Sequence, residues 1–257
     1  MKIFKIMGLT LFFTLVSFSC VSAQTVDDLI LMTEQYPPYN FEEDGKLQGF
    51  FIDVMERMLE KLNSKLTRDD IRLLPWANAY NKALNKKNTA LFGIVRTKER
   101  EDLFKWVGPM DSVKIVLTAR KDRNVKISSV DDVKGYRIGI IRNDAAEQLL
   151  IQAGIEKNTL ERVAKAAILI KMLNAGKIDM WGYNEAPVKW LLKKNDLNTE
   201  DYETVYTLKE VDAYYAFHKD TPDLLIRNFQ NALDGIKKKT GDGGKSEHEK
   251  IMDKYLK

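Results

Sequence analysis

Between Leu74 and Trp106 the chain reads LPWANAYNKALNKKNTALFGIVRTKEREDLFKW. Gly93, Arg96, Thr97 and Arg100 are the residues there whose types bear chemistry. Thr89 to Val95 is an apolar run of the length of a buried strand. It stops at Arg96 and Thr97, and the charged segment that follows reads as helical. A strand that feeds a helix in this way sets cationic side chains and open backbone groups at the carboxyl edge of a sheet, where open α/β sheets bind ligands. The chemistry on offer is recognition of a small anionic or zwitterionic molecule. If Thr97 only capped the next helix, position 100 would favour Glu or Gln, which closes a capping box. Arg stands there instead, near the positive end of the expected helix, an unfavourable place until an anion arrives.

Three further places could face the same molecule. Tyr36 precedes Pro37 and Pro38 in the loop EQYPPYN, so its ring is expected on a loop. Trp76 opens a helix, where a Trp serves either a ligand face or the core. Arg142, Asn143 and Asp144 lie on a strand-to-helix turn, whose free N–H groups can take a carboxylate oxygen. Asp144 there is also an ordinary helix cap. Other chemistries are thinly represented. His218 and His248 are the two histidines of the chain, far apart in sequence, and no His/Cys metal constellation is visible. No metal and no cofactor are expected. Gly241-Asp242-Gly243-Gly244 follows a helix rather than a strand, so it reads as a turn and not a phosphate loop. A Gly-x-Ser-x-Gly elbow is absent.

The elements that must position these residues come from a chain of 257 residues, 44% hydrophobic and 30% charged. That composition is globular, with chain enough for one large core or two small ones. Lys2 and Lys5, the apolar run from Ile6 to Val21, and Val21-Ser22-Ala23 form a signal peptide, so residues 1–23 are expected to be removed. A transmembrane anchor is the other reading of that run, which is short for a span. Cys20, the one cysteine, falls inside it; its surroundings make a poor lipid-attachment site, since Leu would be expected at Ser17. Loss of Lys2 and Lys5 takes the formal charge from +4 to +2, which argues against nucleic acid as a partner. Lys237-Lys238-Lys239 reads as a solvated helix end.

In the mature chain, periodicity predicts strands at 28–33, 71–74, 89–95, 113–119, 136–141, 178–183 and 211–217. Helices are predicted at 51–62, 77–85, 145–153, 166–175, 185–194, from Thr221-Pro222 to about Lys238, and at 247–256. Alternating βα units imply an α/β fold with mainly parallel sheets. Two such series joined by two extended crossings imply two lobes and a hinge.

TEQYPPYNFEEDGKLQGFFIDVMERM, PWANAYNKAL, GIVRTKEREDLFKWVGP, YRIGIIRNDAAEQLL and AFHKDTPDLLIRNFQNAL, in this order, resemble the extracytoplasmic solute-binding proteins of ABC importers for polar amino acids, family 3. The resemblance implies a two-lobed periplasmic-binding-protein type II fold, the second lobe inserted into the first. Lobe one would be residues 24–114 and 215–257, lobe two residues 115–214. It implies a monomeric, non-enzymatic periplasmic receptor whose lobes close on a small amino-acid-like or carboxylate ligand and whose closed form docks on an inner-membrane ABC permease. In that pattern Arg100 clamps the ligand α-carboxylate through its planar fork. Gly93 and Thr97 contact the ligand, Tyr36 and Trp76 sandwich it, and Arg142 with Asp144 lies where the second lobe lines the cleft. At position 184 the family usually carries an Asp for the ligand ammonium, and this chain has Asn184. With Arg96 and Arg142 adding positive charge, that implies either a more acid-like ligand or an ammonium met by Glu34 or Asp144. Two other readings share the fold: a secreted dehydratase of aromatic amino-acid precursors, with Glu34, Asp144 or Glu185 as its acid, and a receptor that presents ligand to a membrane sensor.

Overall fold

The computed structural model describes residues 24–239, 241 and 244–256; the predicted signal peptide, with Cys20, lies outside them. Its strands are β1 (Ile30–Thr33), β2 (Phe41–Glu43), β3 (Lys46–Gln48), β4 (Arg72–Leu73), β5 (Thr89–Val95), β6 (Phe104–Arg120), β7 (Ile138–Ile141), β8 (Leu160–Val163), β9 (Met180–Asn184) and β10 (Tyr202–His218). Its α-helices are α1 (Phe50–Lys61), α2 (Trp76–Asn85), α3 (Ala145–Gln152), α4 (Ala166–Asn174), α5 (Glu185–Lys194), α6 (Asp223–Lys237) and α7 (Glu247–Leu256).

Eight strands form one continuous sheet in the order β4-β1-β5-β10-β6-β9-β7-β8. At one end β4, β1 and β5 are mutually parallel, and at the other β9, β7 and β8 are. These are the sheets of two lobes. Between them β6 and β10, each of 17 residues, lie antiparallel to each other and to their outer neighbours. The chain leaves the first lobe on β6 and returns on β10, so the second lobe is inserted. The expectation of mainly parallel pairing fails at this seam. Two strands that carry the chain out and back side by side must run in opposite directions.

β5 is buried at all seven positions, as a strand covered on both faces must be. β6 is far longer than the apolar run Val113 to Ala119. Gly108 and Pro109 interrupt its pattern, yet the strand passes through them. Gly108 takes φ +155, and a Cβ there would lie 2.4 Å from the Tyr214 ring. Its N–H donates to Gln230 Oε1 at 3.0 Å, and the pairing slips opposite it between Ala213 and Tyr215. Bulges of this kind let a strand carry Gly and Pro.

The helix expected after β5 is absent. Arg100 N–H bonds to Thr97 O at 3.0 Å, and one 3-10 turn, Glu101–Leu103, leads straight into β6. Lys98, Glu99 and Asp102 are exposed and Leu103 is 39% exposed, so the segment has no apolar stripe to dock. The capping argument at position 100 loses its helix. Two smaller differences have local causes. Pro222, not Thr221, is the residue that precedes α6. The β2–β3 hairpin turns on Asp44 and Gly45, at φ 52 and 73, a signature that suits a tight hairpin. The last helix, α7, is fastened to α1 at Asp53, which accepts from Tyr255 Oη at 2.9 Å, Lys254 Nζ at 2.8 Å and Arg68 Nη2 at 2.9 Å.

Candidate ligand site between the lobes

The carboxyl ends of the parallel strands of both lobes meet at the seam. From the first lobe come Glu34 after β1, Trp76 after β4, and Thr97 and Arg100 after β5. From the second come Asn143 and Asp144 after β7, Lys165 after β8 and Asn184 at the end of β9.

Arg100 is 1% exposed. Its Nη1 donates to Val95 O at 3.3 Å and its Nη2 crosses the seam to Asn143 O at 3.1 Å, while Nε has no partner. Its guanidinium carbon lies 5.3 Å from the Trp76 ring centre and 5.2 Å from that of Tyr80, within cation–π range. Trp76 Nε1 donates to the same Asn143 carbonyl at 2.9 Å. One backbone oxygen of the second lobe is thus held by two side chains of the first. Burial lowers the Arg100 pKa, and Tyr80, Asp144 and Glu34 oppose that shift.

Two buried carboxyls face this guanidinium, in different states. Asp144 caps α3, accepting from Ala146 N–H at 3.2 Å. Burial raises its pKa, with Arg100 and the backbone N–H groups of the helix start opposing. The Glu34 carboxylate has no hydrogen bond or ion pair among the described residues, and is 8% exposed. Burial first, then the Asp144 charge, pushes its pKa well above the usual carboxylate range, and Arg100 pulls the other way.

Around these charges the polar groups are buried and only partly paired. Asn40 donates through Nδ2 to Glu34 O at 2.8 Å and leaves Oδ1 without a partner. Gly93 makes room for it: at φ +71, a Cβ on Gly93 would sit 2.6 Å from Asn40 Oδ1 and 3.3 Å from the Tyr36 ring. Tyr36 stacks on Tyr39 at 5.1 Å and meets Tyr183 of the other lobe edge-on at 5.7 Å. Asn184 does not cap α5 with its side chain; it lies against the Tyr36 hydroxyl and leaves Oδ1 unpartnered. The Tyr183 hydroxyl is also buried without a partner. Thr97 is buried beside Arg100 in sequence, at 2% exposure.

Of the candidates from the sequence, Tyr36, Trp76, Gly93, Thr97, Arg100, Asp144 and Asn184 come together here, and Arg96 and Arg142 do not. Arg96 pairs with Glu101, and its guanidinium carbon lies 5.3 Å from the Tyr214 ring centre. Neighbours along an extended chain point to opposite sides, so a buried Thr97 sends Arg96 outward. Arg142 is exposed, its Nε donating to Arg162 O at 3.3 Å. The acid-like ligand inferred from Arg96, Arg142 and Asn184 therefore loses two of its three supports. Asn40 and Tyr183 were not legible as site residues. Asn40 follows two prolines in an irregular loop, and Tyr183 ends an apolar strand whose residues all read as core.

A cavity of about 320 Å³ adjoins the polar cluster, lined by residues of both lobes that include Glu34 and Trp76. Another hollow, of about 340 Å³, lies against α5 and the start of β10 and touches none of these groups. The margins of the seam are closed by the β2–β3 hairpin. Phe41 packs on Trp190 at 5.3 Å, and Glu43 forms an ion pair with Lys194.

Two parallel-sheet lobes, two antiparallel crossings and a polar seam between them define the two-lobed periplasmic binding fold. The description "Bacterial extracellular solute-binding proteins, family 3" matches residues 29–257, and the chain belongs to that family. A curated relative, the "Probable amino-acid-binding protein YxeM" of Bacillus subtilis (strain 168), is 26% identical over 222 residues, which cover 84% of this chain and 82% of that protein. The fold is shared with an ABC uptake transporter substrate-binding protein from Streptococcus pneumoniae solved with bound histidine (TM-score 0.75, 17% identity, 89% of this chain and 92% of that one). It is shared equally with a histidine kinase sensor domain (TM-score 0.76, 22% identity, 89% and 96%). Among the described residues no helix is long and apolar enough to cross a membrane.

Proposed function

We propose that this chain is a periplasmic receptor that captures an α-amino acid, or a closely related zwitterion, between its lobes and delivers it to an inner-membrane ABC permease as a monomer. The observation that carries the reading is the pairing state of the seam. Arg100 Nε, Asn40 Oδ1, Asn184 Oδ1 and the Tyr183 hydroxyl are buried without partners, and the Glu34 carboxylate, which lines the adjoining cavity, makes no hydrogen bond or ion pair among the described residues. Buried polar groups are costly unless hydrogen-bonded, and a zwitterion supplies what these lack. Its carboxylate would take the Arg100 fork, and its ammonium would take Glu34 with Asn40 and Asn184 as further acceptors. Tyr36 and Trp76 would cover its two faces, and Thr97 would contribute its hydroxyl. Gly93 serves by admitting Asn40. One guanidinium set against Glu34 and Asp144 favours a ligand that carries a cation as well as an anion.

For the lobe boundaries, the pairing of Ile115 with β9 supports a crossing at 114/115 on β6, and the pairing of Ala213 and Tyr214 with β5 supports a return on β10 close to the 214/215 read from the sequence. Closure is driven by ligand because the closed form alone joins both half-sites.

Calorimetric titration of unfolded and refolded protein with α-amino acids and their deaminated acids tests the reading. Binding of amino acids but not of the deaminated acids is expected. Binding of the acids alone would remove Glu34 as the ammonium acceptor. Loss of uptake on deletion of the permease tests delivery.

A further inference from the structure

We infer that the ligand carries a bulky apolar side chain, aromatic or branched aliphatic, lodged in the interlobe cavity; the inference rests on the amino-acid reading above. The polar cluster is sealed, with Arg100 at 1% and Asn184 at 4% exposure. The space that continues from it is the cavity of about 320 Å³, at the small end of the range for ligand pockets. Beyond the α-carbon a ligand has that direction open to it.

The lining divides by chemistry. Glu34 and Trp76, both buried, link it to the polar cluster of Arg100 and Asp144. The apolar walls are Leu73, Leu74 and Pro75 from the first lobe, and Ile141, Ala166 and Leu191 from the second. Besides Glu34, the charged residue on the lining is Lys165, exposed just before α4, and Glu34 is the one acid there. A ligand whose ammonium sits on Glu34 therefore sends its side chain past apolar surface toward a lysine. An arginine or lysine side chain would bring its own cation to Lys165 with no acid to receive it. Gln35, the uncharged polar residue on the lining, has its amide spent on the Glu42 backbone, so glutamine would bury its own amide against Leu and Ile, which costs more than the contact returns. An apolar side chain buries its surface on both lobes at once and so favours the closed form.

The test is calorimetry on refolded, ligand-stripped protein with phenylalanine, leucine, arginine, glutamine and glutamate. Phenylalanine or leucine is expected to bind at least about tenfold more tightly than arginine or glutamine. Tighter binding of arginine, glutamine or glutamate overturns the side-chain inference and leaves the amino-acid reading standing. Silence toward all five overturns both. Leu73→Asp, on the half-buried edge strand β4, puts an acid on the cavity wall and should shift the phenylalanine-to-arginine preference at least about tenfold toward arginine. If the ratio does not move, the side chain does not lie in this cavity. Lys165→Glu, at an exposed position, reports the same ratio should Leu73→Asp fail to fold.

Discussion

The two lobes share an architecture, three parallel strands backed by helices, but furnish the seam differently. The first lobe brings side chains whose hydrogen-bonding capacity is unspent: the Glu34 carboxylate with no hydrogen bond, Arg100 with Nε free, Asn40 with Oδ1 free. The second also leaves Asn184 Oδ1 and the Tyr183 hydroxyl unpaired, but its acid is already in use. Asp144 is occupied as the cap of α3, and Asn143 presents a backbone carbonyl rather than a side chain. Two carboxyls of similar burial can thus have different purposes. Hydrogen-bond state, rather than charge or depth, separates an acid available to a ligand from one that holds a helix.

Substitutions can break that asymmetry. The largest effect is expected at Arg100→Ala, which removes a charge-assisted fork and should weaken amino-acid binding by about a hundredfold or more. Circular dichroism should show the fold retained, and binding within threefold of the parent would displace Arg100 as the carboxylate clamp. Glu34→Gln follows, with a loss of roughly 10- to 100-fold in affinity, while the ligand-free protein gains stability above the ordinary carboxylate range because folding no longer has to protonate this group or bury its charge.

The same residue predicts a pH dependence. Its folded pKa is raised, so the folded state holds the proton that the unfolded chain has released. Stability of the free protein should fall as pH rises from the ordinary carboxylate range through the raised value. Ligand affinity should rise over the same window, because an ammonium binds the ionised form. Thermal melts and titrations across pH would show both trends in the parent and neither in Glu34→Gln.

Trp76→Phe keeps the ring but loses the bond to Asn143 O, one of two holding the lobes at that point. A several-fold loss of affinity is expected, about 1 kcal/mol, with small-angle scattering showing a larger radius in the free protein. Substitution of the second lobe's acid should matter least. Asp144→Asn retains a good cap and should change affinity by no more than about threefold, whereas Asp144→Ala should cost about 1 kcal/mol of stability by thermal melt. A hundredfold loss in Asp144→Asn would reverse the assignment of the two acids.

Much of this fold was legible along the chain. β5 and α5 occupy the predicted residues, and α1, α3, α4 and α7 agree within one or two at their ends, because each carries a periodic apolar pattern between clear breakers. The seam strands were half legible. β6 and β10 lack a two-residue alternation over much of their length, with mostly part-exposed positions leading into or out of a buried run, and Gly108-Pro109 hid the continuity that a bulge restores. Arg100 stood out by type and by the motif around it. Its supposed helix did not exist, since seven residues rich in charge cannot supply an apolar face.

The sequence by itself determined the order of βα units, the two crossings, and the presence of an arginine, paired aromatics and an acidic loop in the segments that meet. Those follow from local periodicity and residue chemistry, which short windows contain. Which groups share the seam was decided by the tertiary structure alone. Arg96 and Arg142 leave it, and Asn40 and Tyr183 enter it, through the pleat of a strand and the turn before a helix. The cap at Asp144 is local and legible, two residues from its partner. That Glu34 is buried facing Arg100 and Asp144, 66 and 110 residues on, is contained in no window along the chain.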